Sequence, residues 1–268
     1  MCELLGMIFN QPVRPNLSFR GFRLRGEKNR DGWGIAYYPD ESVQVIKEPI
    51  RAGESLLSEF IKDYPEIRSK IIIAHVRCTS GSPVTHKNTH PFQRELGGKE
   101  FVFAHNGTLH NYRALKIGRF RPVGETDSEH AFCHILASLE SEIEEGSLDI
   151  NNWSKGNFRW LHDKLREINS YGDFNCLMSD GEYLFCYHDM SGYSGLCFVR
   201  RKAPFCTVRL RDEDFEVNLD AEKDPSQRGF IIASRELTYE RWKKFERGEL
   251  IVFRNGDMVF SSASRGMS

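Results

Sequence analysis

The chain has 268 residues, of which 40% are hydrophobic and 28% are charged, and 37 Lys and Arg residues against 38 Asp and Glu residues give a formal net charge of −1. This balance argues against a broad surface for nucleic acid or membrane, because such a surface needs an excess of basic residues. The length allows one large domain or two small ones, and since there is no internal repeat or long linker we predict a single domain over residues 1–268.

The sequence carries neither a membrane span nor a secretion signal. No apolar run approaches the roughly 18–20 residues that a spanning helix needs. Glu3 stands where a secretion signal would carry positive charge, and no long apolar segment follows it. We therefore expect a soluble, cytoplasmic protein.

The seven cysteines are scattered along the chain and contain no Cys-x-x-Cys pair. This distribution favours neither a disulfide framework nor a structural zinc site. We interpret six of them as buried small hydrophobic residues. Cys2 is the exception, because its own α-amino group becomes a neighbour of the thiol once Met1 is removed.

Short runs of β-branched and aromatic residues recur along the chain and predict strands. Asp180-Gly181 and Asn255-Gly256 each lie between two such runs, as type I′ hairpin turns do, so much of the sheet is expected to be antiparallel. The predicted strands cover 34–38, 43–46, 71–76, 101–105, 175–178, 183–187, 196–199, 230–233, 250–253 and 258–260.

Apolar residues spaced near 3.6 positions apart predict three helices. The first covers 57–64 and ends before Pro65. The strongest begins at Thr126, which forms a capping box with Glu129, and it stops at Gly146; another runs over 158–172. Many antiparallel strands with helices grouped between them favour an α+β fold, in which sheets stack on each other and helices cover the outer faces.

Four polar segments at the ends of these elements could carry chemistry, and each also has a structural interpretation. Cys2 could use its own α-amine, of pKa about 7.7–8.0, as the base that activates the thiol. Alternatively, a cysteine at this position is accidental. Arg77 ends a strand beside hydroxyl residues, where its guanidinium group suits a carboxylate, although a surface ion pair is also compatible with the pattern.

The other two segments follow a strand and precede a helix. The Asn106 amide and the N–H of Gly107 form a two-donor oxyanion hole or else belong to an ordinary Asn-Gly turn. Asp127 begins the strongest predicted helix, so it either complements the helix dipole or accepts hydrogen bonds from a substrate ammonium group. Together, the four segments supply a nucleophile with its base, a carboxylate clamp, oxyanion donors and an ammonium acceptor.

This series resembles the motifs of the class-II glutamine amidotransferases, which belong to the N-terminal-nucleophile (Ntn) hydrolases. The opening Met-Cys-Glu-Leu-Leu-Gly and the pattern from Arg121 to Glu129 most resemble the stand-alone, YafJ-like bacterial members. The resemblance is dense over residues 2–130 and thinner beyond. It is carried by Cys2, Arg25-Gly26, Asp31-Gly-Trp-Gly-Ile35, His75-Val-Arg77, Asn88-Thr-His90-Pro91, His105-Asn106-Gly107 and Gly124-Glu-Thr-Asp127-Ser-Glu129.

The resemblance implies a four-layer αββα sandwich, with two antiparallel sheets between helical layers. It assigns Cys2 as the catalytic nucleophile, and Asn106 and Gly107 as the oxyanion hole. It further makes Arg77 the clamp on the α-carboxylate of glutamine and Asp127 the acceptor of its α-ammonium group.

Other positions near these motifs have lesser expected roles. Ser80 stands where better-known members place a Thr that helps to hold the carboxylate, and Gly81 replaces a His that some members have there. The turn Asn88-Thr-His90-Pro91 is expected to shape the pocket. His75 and His105 are interpreted as structural histidines whose hydrogen bonds are satisfied.

The predicted reaction is hydrolysis of the glutamine side-chain amide through a γ-glutamyl thioester, which releases ammonia for an unknown acceptor. No cofactor is expected, and no metal site either, since no further cluster completes the helical set Glu129, His130, Cys133 and His134. The expected partners are glutamine or another γ-glutamyl compound and a separate synthase that accepts the ammonia. Two alternatives stay open, namely a γ-glutamyl peptide or thiol hydrolase and a non-catalytic binding subunit.

Overall fold

The computed structural model describes residues 2–25, 30–79 and 81–263. Three residues singled out above, Met1, Gly26 and Ser80, lie outside the described residues. The strands are β1 (Glu3–Val13), β2 (Trp33–Tyr37), β3 (Gln44–Glu48), β4 (Ser69–Val76), β5 (Phe92–Leu96), β6 (Lys99–Leu109), β7 (Gly172–Ser179), β8 (Tyr183–Tyr187), β9 (Cys197–Lys202), β10 (Thr207–Arg209), β11 (Glu216–Asn218), β12 (Arg228–Ala233), β13 (Lys243–Lys244), β14 (Leu250–Arg254) and β15 (Asp257–Ser261). The helices are α1 (Asn16–Leu24), α2 (Leu56–Asp63), α3 (Asp127–Glu144), α4 (Lys155–Asn169) and α5 (Leu219–Glu222).

Most of the strands form two large antiparallel sheets. The first sheet has seven strands in the order β13-β9-β12-β1-β4-β2-β3, and the second has six in the order β15-β14-β8-β7-β6-β5. The pair β10-β11 forms a small separate ribbon. Since β1 lies between β12 and β4, the N-terminal segment enters the middle of the first sheet.

Three apolar cores hold the layers together and define their order. Between the sheets, side chains such as Leu4 and Ile73 of the first pack against Leu177 and Ile251 of the second. A second core joins α1 and α2 to the outer face of the first sheet, and a third joins α3 and α4 to the outer face of the second. The α+β fold predicted from the sequence, with two antiparallel sheets between helical layers, is therefore confirmed.

The helix predictions are confirmed in position and corrected in detail. Thr126 caps α3, with its hydroxyl accepting the Glu129 N–H at 3.1 Å. The reciprocal half of the predicted capping box is wrong, since the Glu129 carboxylate accepts the N–H groups of Val123 and Gly124 and pairs with Arg94. The Glu129 carboxylate thus binds the preceding loop and Arg94 of β5 instead of the N–H of Thr126. None of the helices in the described ranges is both long and apolar enough to cross a membrane.

Both predicted hairpins are present, but only one has the predicted backbone. Asn255 and Gly256 join β14 to β15 with φ of 50° and 79°, as a type I′ turn requires. Between β7 and β8 only Gly181 has positive φ, so Asp180-Gly181 is not a type I′ turn. There the Asp180 carboxylate accepts the N–H groups of residues 182 and 183 and holds a longer connection.

Candidate active site

Four element ends converge on one cleft of about 210 Å³. They are the start of β1, the end of β4, the end of β6 and the start of α3. The antiparallel register places Glu3 opposite Val76, which brings Cys2 beside the residues that follow β4. The lining residues are Cys2, Arg77, Cys78, Thr79, Gly81, Ser82, His90, His105, Gly107, Thr108, Leu109, Tyr112, Glu125, Thr126, Asp127 and Ser128.

Buried ion pairs fix the position of Cys2. Its neighbour Glu3 is buried and pairs with Arg25 at 2.9 Å and with Arg235. The Cys2 sulfur accepts the N–H of Cys78 at 3.1 Å and lies 3.2 Å from the carbonyl oxygen of the same residue. Burial raises the pKa of the Cys2 thiol to about 11, while the Cys78 N–H and the charge of Arg77 oppose that shift. This shift favours the protonated thiol at neutral pH.

Arg77 points into the cleft and is held mainly by neutral groups. It is buried, and it donates to the hydroxyl of Ser82 at 2.6 Å and to the carbonyl oxygens of Asp31 and Pro83 at 3.3 and 3.4 Å. Among the described residues no carboxylate forms an ion pair with it. Burial lowers the pKa of the guanidinium group, whereas nearby Cys2, Asp31 and Asp127 raise it. The guanidinium group is thus oriented by hydrogen bonds to neutral groups, and no described carboxylate binds it directly.

Asp127 faces the same cleft from the first residue of α3. One carboxylate oxygen accepts the N–H of Leu109 at 2.7 Å and the other accepts the N–H of Ser128 at 2.9 Å. The Ser128 hydroxyl also donates to it at 3.4 Å. A carboxylate has about four lone-pair positions, so three contacts leave room for one hydrogen bond from an ammonium group. The two interpretations open at the sequence level are therefore compatible, because the same carboxylate complements the helix dipole and faces the cleft.

The predicted oxyanion pair is only half exposed to the cleft. Gly107 lines the wall, and a Cβ there would come within 1.9 Å of the Asp173 carbonyl oxygen, so β6 and β7 can pair only if this residue is Gly. Asn106 is buried and does not line the cleft. Its side-chain N–H₂ donates to the Ser194 hydroxyl at 3.1 Å, while its side-chain oxygen has no hydrogen-bond partner among the described residues.

Histidines form part of the wall behind these residues. His105 is satisfied as predicted, since its ring nitrogens contact the Ser128 hydroxyl at 2.8 Å and the Asp173 carbonyl oxygen at 3.1 Å. His75 differs from the prediction, because its ring is tilted against that of His90, with centroids 4.2 Å apart, and neither ring nitrogen forms a hydrogen bond within the described ranges. Burial lowers the pKa of His75 to about 3, which keeps the ring neutral.

The turn at 88–91 links two loops that border the cleft. The Asn88 side chain donates to the Pro83 carbonyl oxygen at 3.1 Å and accepts the Glu125 N–H at 2.9 Å. These contacts agree with the pocket-shaping role expected of this turn. Sequence reasoning did not single out Ser82, Tyr112 or Ser128, which also line the cleft.

The cysteines differ in their exposure to solvent, and the candidate metal ligands do not form a site among the described residues. All seven cysteines are free, but Cys78 and Cys206 are at least partly exposed, so the prediction that six are buried is wrong for these two. Cys78 lies just after β4 and lines the cleft, where the chain has left the sheet. Within the described ranges no group of three or more His, Cys, Asp or Glu side chains is placed to hold a metal ion.

The layer order and the position of the cleft define an Ntn-type amidotransferase fold. The structure is similar to that of a predicted glutamine amidotransferase from Pseudomonas aeruginosa PA01, with a TM-score of 0.71 and 32% identity over 97% of this chain and 100% of that one. It also shares its fold with the glutamine phosphoribosylpyrophosphate amidotransferase of Bacillus subtilis, with a TM-score of 0.62 and 17% identity over 97% of this chain and 49% of that one.

The chain belongs to the family of class-II glutamine amidotransferases, whose sequence profile matches residues 1–268. It is 49% identical to protein MJ1515 of Methanocaldococcus jannaschii over 263 residues, which are 98% of this chain and 72% of the relative. It is 37% identical to YafJ of Escherichia coli K12 over 267 residues, which are 97% of this chain and 100% of YafJ.

Proposed function

We propose that this protein hydrolyses the side-chain amide of glutamine through a γ-glutamyl thioester on Cys2 and releases ammonia. The observation that carries the proposal is the meeting of Cys2, Arg77, Gly107 and Asp127 in one cleft, although they come from four separate elements. A sulfur nucleophile, a cation, a backbone donor and a carboxylate are the groups that acyl transfer from an amino-acid amide needs.

The two charged side chains are proposed to recognise the amino-acid end of the substrate. Arg77 offers a guanidinium group that forms no ion pair with a described carboxylate, and it suits the α-carboxylate. Asp127 keeps acceptor capacity for the α-ammonium group. A substrate that lacks either charge leaves one of these groups unpaired and is expected to be rejected. Ser80, outside the described residues, is proposed to help hold the carboxylate.

The α-amine of Cys2 is proposed to act as the base. Burial raises the pKa of the Cys2 thiol, which favours the protonated form at neutral pH, so the reaction needs a proton acceptor close to the sulfur. An α-amine of pKa about 7.7–8.0 is partly unprotonated at that pH and can take the proton directly or through a water molecule. The same group then donates the proton to the leaving ammonia, and water hydrolyses the thioester.

The oxyanion that develops on the amide carbonyl is proposed to be held by Gly107 and Asn106. The Asn106 N–H₂ group has two protons, and since one of them is donated to Ser194, the second can serve the oxyanion. A donor of this kind typically lowers the barrier by about 3–4 kcal/mol. We infer a cytoplasmic enzyme that passes ammonia to a separate synthase, and the free cysteines support a reducing compartment.

The substrate is tested by steady-state kinetics of the purified chain on glutamine and on a panel of γ-glutamyl peptides, with ammonia and free amine measured separately. We expect ammonia from glutamine. A kcat/KM for a γ-glutamyl peptide far above that for glutamine would reject the proposal in favour of a γ-glutamyl hydrolase. If no compound in the panel is turned over, although glutamine binds, the protein is a binding subunit.

Replacement of Arg77 by lysine is expected to raise KM for glutamine about 10–100-fold and to change kcat much less. A compact ammonium group cannot form the two parallel hydrogen bonds that a guanidinium group makes to a carboxylate, and charge-assisted hydrogen bonds contribute roughly 1.5–3 kcal/mol. The matched control is Arg119→Lys. Arg119 is exposed, does not line the cleft and pairs with Glu140 of α3. A loss confined to kcat would show that Arg77 acts on the transition state instead of on substrate binding.

The mechanism requires the removal of Met1, because while Met1 is present the nitrogen of residue 2 belongs to a peptide bond and cannot serve as a base. We expect intact-mass measurement of active protein to show the loss of one methionine residue. A preparation that keeps Met1 is expected to be inactive. Full activity with Met1 retained would overturn the assignment of the α-amine.

A further inference from the structure

A second thiol lies beside the proposed nucleophile. The Cys2 sulfur contacts both the backbone nitrogen and the carbonyl oxygen of Cys78, at 3.1 and 3.2 Å, and both residues line the cleft. Both are partly exposed, whereas Cys133, Cys176, Cys186 and Cys197 are buried. Cys78 is therefore the one other cysteine among the described residues that shares a solvent-accessible cleft with Cys2, and the proposed reaction gives its thiol no role.

The register of the sheet brings these two residues within the range of a disulfide bond. Glu3 is opposite Val76, so one step further along the ladder places Cys2 opposite Arg77. Opposite residues of antiparallel strands are about 4.5–5.5 Å apart and one residue advances the strand by about 3.4 Å, which puts the Cα atoms of Cys2 and Cys78 about 6 Å apart. Disulfides span Cα separations of roughly 4.4–6.8 Å. Successive side chains of a strand point to opposite faces, but β4 ends at Val76, and Arg77 and Cys78 both line the cleft, so this alternation does not continue to residue 78.

We propose that Cys78 is a resolving thiol, which traps Cys2 as a reversible disulfide when a hydroperoxide oxidises the nucleophile. The proposal rests on the proposed function, because a thiolate formed for amide attack is also the species that attacks peroxides. In the first step the Cys2 thiolate attacks one peroxide oxygen, the O–O bond breaks, and Cys2 sulfenic acid forms. The other oxygen takes the proton that the α-amine received from the thiol and leaves as water or an alcohol.

The second step closes the cross-link. The Cys78 sulfur attacks the Cys2 sulfur, the S–O bond breaks, and the hydroxyl group leaves as water with the proton of the Cys78 thiol. Peroxide has then been reduced and two thiols have been oxidised. The disulfide removes the attacking sulfur from the reaction, and a dithiol reductant restores both thiols. Without a resolving thiol, sulfenic acid proceeds to sulfinic acid, which a dithiol cannot reduce.

The experiment treats the processed protein with hydrogen peroxide in a Cys206→Ser background, since Cys206 is exposed and could link two chains. We expect glutamine hydrolysis to fall at least tenfold and to return with dithiothreitol. Intact mass is expected to fall by two hydrogen atoms, and a non-reducing peptide map should join the peptides of Cys2 and Cys78. An unchanged mass, or a link that excludes either residue, overturns the proposal.

The Cys78→Ser variant distinguishes trapping from simple oxidation. In this variant we expect peroxide to add two or three oxygen atoms to Cys2 and dithiothreitol to restore less than a tenth of the lost activity, each sample being compared with its own untreated state. Recovery equal to that of the parent would overturn the role of Cys78. The mass readout does not depend on catalysis, so a Cys2–Cys78 link in a protein that fails to hydrolyse glutamine contradicts the proposed function and leaves the thiol pair standing.

Discussion

Replacement of Cys2 by alanine is expected to lower glutamine hydrolysis by about 10⁴-fold or more. The change removes the attacking sulfur and leaves the α-amine of residue 2 without a thiol in its own residue to activate. Binding should survive, since Arg77 and Asp127 are untouched. We expect calorimetry to give a glutamine Kd within about threefold of the parent value.

Two controls make this result specific. Cys206→Ala changes an exposed cysteine outside the cleft and should leave activity unchanged. A glutamine analogue that alkylates thiols should label Cys2 in the parent protein, with peptide mapping as the measurement. Labelling of the buried Cys176 or Cys186 would mean that the reagent unfolds the protein or reacts without first binding to Arg77 and Asp127. Turnover above one hundredth of the parent rate in Cys2→Ala would contradict covalent catalysis by this residue.

The sequence predicts those elements whose signals are local. The Thr126 N-cap and the amphipathic run after it specify the start of α3, and Asn255-Gly256 specifies the turn between β14 and β15. Both signals depend on residues a few positions apart. The strand β1 was not predicted. Its first seven residues are all buried, since it lies in the middle of a sheet with a helical layer on one side and the second sheet on the other. A strand buried on both faces has no alternating pattern to find.

Residue propensities also fail to predict this central strand, and Gly6 shows why. A Cβ at Gly6 would lie 3.1 Å from a methyl group of Leu177 and 3.3 Å from one of Leu184, both in the opposite sheet. Glycine is depleted in strands, and here it is present because the two sheets approach each other closely at this point. The helix α1 was missed for a related reason, because its buried face includes Ser18 and Gly21 beside Phe19 and Phe22.

The candidate site was predicted by residue type and chain order, and its contacts were not. The motif series names Cys2, Arg77, Gly107 and Asp127, and the fold brings them to one cleft. The contact between Asn106 and Ser194 joins residues 88 positions apart, and it depends on how the segment after β8 folds back against β6. No local pattern encodes such a contact. The same is true of the Cys2–Cys78 contact, which follows from the β1–β4 register.

The Asn106→Ala variant tests the part of the site that sequence and structure describe differently. We expect kcat to fall about 10²–10³-fold with KM within about twofold of the parent value, because an oxyanion donor acts on charge that is present mainly in the transition state. The variant also loses the buried hydrogen bond to Ser194, so unfolding is measured beside the kinetics to show that the protein is folded at the assay temperature.

Ser194→Ala is the matched control, because it removes the same hydrogen bond from the other side and leaves the Asn106 amide in place. If the amide serves the oxyanion, Ser194→Ala should lower kcat by less than about tenfold, since only the orientation of the donor is loosened. Equal losses in the two variants would mean that Asn106 supports the segment around Ser194 and that the Gly107 N–H acts without it. A rise in KM with unchanged kcat in Asn106→Ala would instead place this amide against the bound substrate, and the oxyanion assignment would then be wrong.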